Sequence, residues 1–291
     1  MKKFKSAPYW LVMPVALLSL LFAAGIVNGL VQSFGIIPSL GLNTPTFQYY
    51  IEIFKRQDLL ASMGISLAIA VVSSVLAAVL GVFISAVLVA AGMAKGKMLS
   101  LLKIPILIPH TVVALFVIAL FSQNGLLARG AYALGWIRTQ DAFPSLLYMS
   151  NGIGVVLAYV WKEVPFIAIF VLTIMANISS TLGEAAGNLG ASPWKTFIHV
   201  TLPLSMPTIK NSFLIVFAYS LGAYELPFLL GATTPKALPV QAFIEYTHPD
   251  LRHRPYAMAL NSVLFFISLG LTLIYYRLFQ REGKRRGDAH E

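Results

Sequence analysis

The chain has 291 residues, of which 58% are hydrophobic and 11% charged, and its mean hydropathy is +0.78. Soluble chains carry about 25% charged residues, so this one cannot clothe a domain of its length in a charged shell, and a membrane protein is the class that remains. The net charge of +10 is not a nucleic-acid signal, because the basic residues sit in short loops and at the two ends, where they report membrane orientation; the sequence has no cysteine, which excludes disulfides and thiolate metal sites.

In chain order, Lys2, Lys3 and Lys5 precede an apolar run over 10–31 in which Asn28 is the one strongly polar residue. That run exceeds the roughly 7–15 residues of a signal-peptide core, so an uncleaved first membrane helix is expected. Further runs at 60–91, 101–122, 151–176, 207–230 and 256–280 are each long enough to cross a bilayer, which takes about 20 helical residues. Pro105, Pro109 and Pro165 interrupt them, which is acceptable where neighbouring helices satisfy the freed backbone groups. The expected fold is all-α and polytopic, with six membrane helices. With the N-terminus inside, the inner segments hold Lys95, Lys97, Lys103, Lys195, Lys210 and the basic cluster from Arg277 to Arg286. That bias places both termini in the cytoplasm. The three outer loops are long enough to carry small structure of their own.

Between the fourth and fifth spans lies one hydrophilic segment, Ser179 to Lys195. Its residues predict two short helices. Thr181 is placed to cap the first, with Glu184 completing a capping box, and Gly190 suits the left-handed position after its last turn. Ser192 then caps a second helix that has Pro193 at its first position. Small residues on this knob allow another protein's backbone to approach.

Glu184-Ala185-Ala186, then Gly190, then Val200-Thr201-Leu202-Pro203 resembles the EAA loop of bacterial ABC importer permeases, with Val200 where isoleucine is usual. The resemblance extends over about 60–280 and implies a type I ABC importer permease fold. It divides the chain into an N-terminal tail with the first helix and outer loop (1–59), a permease domain (60–281) with its coupling loop at about 181–203, and a basic tail (282–291). It also implies that Glu184, Ala185, Ala186, Gly187 and Gly190 form a coupling helix that docks on a separate ATPase. The implied partners are two ATP-binding subunits, a second and related permease chain, an extracytoplasmic solute-binding protein and membrane lipid. The chain itself is expected to be non-catalytic and to bind no cofactor, with ATP and magnesium on the partner ATPase. Its nearest approach to a phosphate-binding loop, Gly92-Met93-Ala94-Lys95-Gly96-Lys97-Met98, is one residue short between the glycines and has Met98 where a magnesium-binding hydroxyl belongs.

Ionisable groups inside a membrane are costly and mark candidate solute paths. Glu163 and Glu225, with Trp161, Tyr219 and Tyr224, are expected to form an anionic, aromatic-walled path suited to cations. The bland alternative pairs Lys162 with an acidic group and leaves Glu225 bonded to a neighbouring helix. His110 reads as structural, with no second histidine or carboxylate at ligand spacing. The segments Trp161–Phe166 and Gly222–Gly231 resemble permeases of the spermidine/putrescine type, while ferric iron, thiamine and aminoethylphosphonate branches are closely similar. An ion-coupled secondary transporter is the rival of a different class; it accounts for intramembrane carboxylates but not for the EAA spacing.

Overall fold

The structure is a computed structural model that describes residues 7–287 and the side chains of residues 10–277. Lys2, Lys3, Lys5 and the side chains of the 282–291 tail lie outside the described residues.

Nearly all of the described chain is helical. In order the helices are α1 (Ala7–Ser33), α2 (Gln48–Lys55), α3 (Gln57–Ala90), α4 (Lys97–Leu107), α5 (His110–Phe121), α6 (Leu126–Ala133), α7 (Ile153–Ile178), α8 (Glu184–Asn188), α9 (Pro193–Thr196), α10 (Leu202–Gly222), α11 (Glu225–Leu230), α12 (Leu238–Tyr246) and α13 (Arg254–Gly287). Six helical stretches are long and apolar enough to cross a membrane: Trp10–Ser33, Gln57–Ala90, His110–Ala133, Ile153–Asn188, Pro193–Gly222 and Leu251–Arg277. The number of spans matches expectation, but two of the expected runs are not continuous rods, and the third span starts at His110 and not at 101.

The third predicted run, 101–122, is split. Ile108 and Pro109 are both extended, with ψ of 129° and 147°. Proline disfavours the helical conformation in the residue before it and has no N–H to continue the ladder, so α4 ends and α5 begins anew. The fifth run, 207–230, is split at Ala223, whose ψ of 136° separates α10 from the short α11. Pro165, by contrast, stays inside α7.

The chain divides into two compact units. The first comprises the described residues to Leu60 together with Gln241–Gly270. Within it, Ser33 Oγ and the Tyr50 hydroxyl lie 2.6 Å apart. Buried Glu245 faces Arg56 at 3.5 Å and His253 Nδ1 at 2.6 Å.

The second unit comprises Ala61–Val240 and the chain from Leu271 onward. Within it, α3 approaches α7 closely. A Cβ at Gly81 would meet Ile167 Cβ at 3.0 Å and the Val164 carbonyl oxygen at 3.1 Å, so glycine there permits the close approach. Small residues at such contacts are how membrane helices gain packing energy when lipid is as apolar as leucine. The Ser85 hydroxyl reinforces the pair, lying 2.8 Å from Gly81 O and 3.0 Å from Ala168 O.

Two apolar layers are strung along α3 and α7. One contains Ile69, Val113, Val117, Val155, Tyr159, Leu226 and Leu230, and so gathers α5 and α11. The other contains Ala77, Val164, Ile167, Val171, Met175, Ile209 and Val216, and so gathers α10.

Candidate functional site

The hydrophilic segment between α7 and α10 forms a helical hairpin, though not as its first cap was expected. Thr181 does not start a helix: its hydroxyl donates to the Asn177 carbonyl at 2.9 Å, and Ser179–Gly183 continues α7 as a π-helix that runs into α8. Glu184 is therefore already helical at its neighbours' register, and the capping box does not form. The apolar run of α7 carries the helix past the polar residues, so no N-terminal N–H is free to cap. The second half follows expectation. Gly190 adopts φ +86°, and the N–H of Ala191 returns to the Ala186 carbonyl at 3.0 Å. Ser192 Oγ accepts from the Lys195 N–H at 3.4 Å with Pro193 at the first helical position.

The hairpin carries Glu184, Ala185, Gly187 and Gly190 exposed and Ala186 half-buried. It also presents Leu189 and Trp194, 89% and 71% exposed, which sequence reasoning did not select. They sit on the two sides of Gly190, and apolar residues next to a glycine-terminated turn are the signal that was available.

The second feature is a cavity of about 230 Å³ lined by Ile106, His110, Tyr159, Lys162, Glu163, Phe166, Ile215, Val216 and Tyr219. Glu163 is 4% exposed. Its Oε1 accepts a short hydrogen bond from the Ser220 hydroxyl. Its Oε2 has no hydrogen-bond partner among the described residues, and neither has the fully buried Tyr159 hydroxyl. Buried polar groups are nearly always satisfied, so two open ones on one cavity wall are informative. Lys162 Nζ is committed: it donates to the Ile108 carbonyl at 2.5 Å and lies 3.5 Å from the Ile106 carbonyl oxygen. It closes the end of α4 and does not bridge to Glu163.

Of the expected path residues, the cavity brings together Glu163 and Tyr219. Trp161 is 40% exposed on the opposite side of its helix turn, and Tyr224 stacks on Phe228 with ring centroids 5.0 Å apart. Glu225 is not among the lining residues, but its carboxylate lies 3.5 Å from His110 Nδ1. His110 thus has a carboxylate beside it after all, and its Nε2 meets the Tyr219 hydroxyl at 2.7 Å. The sequence hid this because 115 positions separate His110 from Glu225. Tyr159 was missed as well, although it stands four residues before Glu163 and therefore on the same helix face. Among the described residues there is no cluster of His, Cys, Asp and Glu able to hold a metal ion.

Six apolar spans, a cavity between helices that Glu163 enters and an exposed helical hairpin define a polytopic transport protein. Residues 81–284 match the family described as the binding-protein-dependent transport system inner membrane component, and the chain belongs to that family. It is a permease subunit of an ABC importer, a non-catalytic multi-pass component of the inner membrane. The chain is similar to a probable sulfate transport system permease protein of Marchantia polymorpha, with 25% identity over 75% of this chain and 72% of that protein. It is also similar to the putrescine transport system permease protein PotI of Escherichia coli K12, with 26% identity over 67% of this chain and 65% of the relative. Among solved structures, a bacterial ABC transporter involved in the import of the acidic polysaccharide alginate superposes with a TM-score of 0.77 at 18% identity, covering 94% of this chain and 95% of that one. That likeness concerns the fold.

Proposed function

We propose that the cavity beside Glu163 is part of the translocation path and that the solute is a small organic cation of the polyamine kind, such as spermidine or putrescine. The observation that carries this reading is the open Glu163 Oε2, buried in the cavity wall beside the tyrosine rings of Tyr159 and Tyr219. A carboxylate oxygen accepts hydrogen bonds only, and a protonated amine is both a donor and a charge that aromatic faces attract. The neighbouring cation does not cancel this preference, because Lys162 is turned to the carbonyls that end α4. The putrescine permease among the relatives is in keeping with it; ferric iron, thiamine and aminoethylphosphonate remain the alternatives to be compared.

In this reading the hairpin of Glu184, Ala185, Ala186, Gly187 and Gly190 is the coupling element. It docks on one of two ATP-binding subunits on the cytoplasmic side, where both termini also lie, and ATP and magnesium are held there. A second, related permease chain completes the path. Exposed Leu189 and Trp194 suit a protein contact, since large apolar side chains anchor interfaces.

The test is solute-stimulated ATP hydrolysis by the complete complex in lipid, with spermidine, putrescine, ferric iron, thiamine and aminoethylphosphonate supplied in turn. Stimulation by a polyamine that is lost in Glu163→Gln, with assembly intact, supports the reading. Stimulation by an anionic or zwitterionic solute alone, or full stimulation in the Gln variant, overturns it.

A further inference from the structure

The two apolar layers of the second unit are separated by a polar level that every element crossing it shares. On α3, Ser73 and Ser74 lie between Ile69 of one layer and Ala77 of the other, and both serines are fully buried. On α7, Lys162 and Glu163 lie between Tyr159 and Val164. Tyr219 and Ser220 follow Val216 at the far end of α10, and the α4–α5 break at Ile108–Pro109 stands beside His110. The cavity lies at this level.

Both split apolar runs, 101–122 and 207–230, are interrupted close to this level. α5 and α11 belong to the layer of Leu226 and Leu230, and α10 belongs to the layer of Val216. His110 joins them: its Nε2 meets the Tyr219 hydroxyl of α10 at 2.7 Å, and its Nδ1 faces Glu225 of α11 at 3.5 Å. α3 and α7 run unbroken through both layers, but α5 and α11 are linked to α4 and α10 through extended backbone and a few polar bonds, so they have the form of a packed body that can shift against α10. Packed cores resist continuous deformation, so movement concentrates where packing is interrupted.

We propose that His110 is a positioning residue of the transport cycle, and that its bridge to Tyr219 and Glu225 is a latch across the polar level that must release for α5 and α11 to shift against α10. The proposal rests on the permease reading but not on which solute is carried. The latch joins the wall of the cavity that contains Glu163, so its release changes the width of the cavity at that wall.

The absence of cysteine and of any metal-binding cluster among the described residues makes an engineered metal bridge a clean test. In Tyr219→His, the new imidazole stands opposite His110 Nε2, giving a pair of nitrogen ligands of the kind zinc takes. The measurement is zinc binding by equilibrium dialysis, together with basal ATP hydrolysis of the purified complex without solute. The expected result is that zinc binds Tyr219→His and lowers its basal hydrolysis several-fold, that a chelator restores it, and that His110→Gln/Tyr219→His is indifferent. Failure to bind zinc overturns the adjacency, and bound zinc with unchanged hydrolysis overturns the latch. Tyr219→Phe supplies a gentler variant that keeps the ring and removes the hydroxyl. It is expected to raise solute-independent hydrolysis several-fold with assembly unchanged, and an unaltered basal rate would count against the proposal. Since no solute is present, neither outcome depends on the polyamine assignment.

Discussion

Lys162 Nζ donates to the Ile108 carbonyl oxygen at 2.5 Å, so an ammonium on α7 seals the end of α4 where Pro109 interrupts the apolar run 101–122. Carbonyls freed at a helix break inside a bilayer have no water to turn to. Charge-assisted hydrogen bonds of this kind contribute about 1.5–3 kcal/mol. Lys162→Met should therefore lower thermal stability in detergent by an amount of that order, while Lys162→Arg retains part of it. Equal midpoints for Lys162→Met and the parent would show that the seal contributes nothing.

The Gly81 contact makes a sharper packing prediction. Gly81→Val forces Ile167 and the Val164 carbonyl, both near 3.0 Å from a Cβ there, to move. Overpacking of this sort typically costs about 1–3 kcal/mol. Gly64 on the same helix has nothing within 4 Å of a built Cβ, so Gly64→Ala serves as the control and should be neutral or slightly stabilising. Unfolding midpoints of the two variants side by side decide the matter.

Outside the spans, Glu52 accepts hydrogen bonds from the Tyr256 hydroxyl and from Gln48 Nε2, the latter at 2.6 Å. These bonds, the Tyr256 one foremost, hold its carboxyl below the ordinary value of 4.5. A folded-state value below the unfolded one contributes stability at pH above the unfolded value, and that contribution is lost as pH falls through the folded value. Acidification should thus lower the thermal midpoint, and Glu52→Gln should flatten that dependence by lowering the midpoint at neutral pH while approaching the parent on the acid side.

At the coupling hairpin, Gly190→Ala places a Cβ at φ +86°, a left-handed conformation that costs a non-glycine residue about 1–2 kcal/mol. Ser192→Ala removes the cap of α9, worth about 1 kcal/mol. Both changes are local to an exposed loop, so assembly of the spans should survive while solute-stimulated ATP hydrolysis falls. The loss should be larger for Gly190→Ala. Stimulation at the parent level in both variants would remove the hairpin from the coupling role.

Hydropathy runs made the spans legible because a bilayer demands long apolar helices whatever their neighbours are. The EAA spacing was legible because its residues are contiguous, and Gly190 because the turn that ends α8 needs a positive φ. The Thr181 cap failed for a related reason: local capping chemistry is overridden when the preceding apolar helix simply continues through it. The helix breaks were only half visible. Pro109 announced one, whereas Ala223 carries no comparable signal, and its extended backbone follows from how α11 packs Leu226 and Leu230 beside α5.

By itself the sequence determined the class of protein, the number of spans and the position of the polar hairpin, since each depends on the composition of a single continuous stretch. Tertiary structure alone decided which intramembrane groups meet. It turned Lys162 away from Glu163 and toward Ile108, set His110 between Tyr219 and Glu225, and left Glu163 Oε2 and the Tyr159 hydroxyl open on one cavity wall. Those pairings join residues tens to more than a hundred positions apart, and helix packing, rather than any local pattern, brings them within bonding distance.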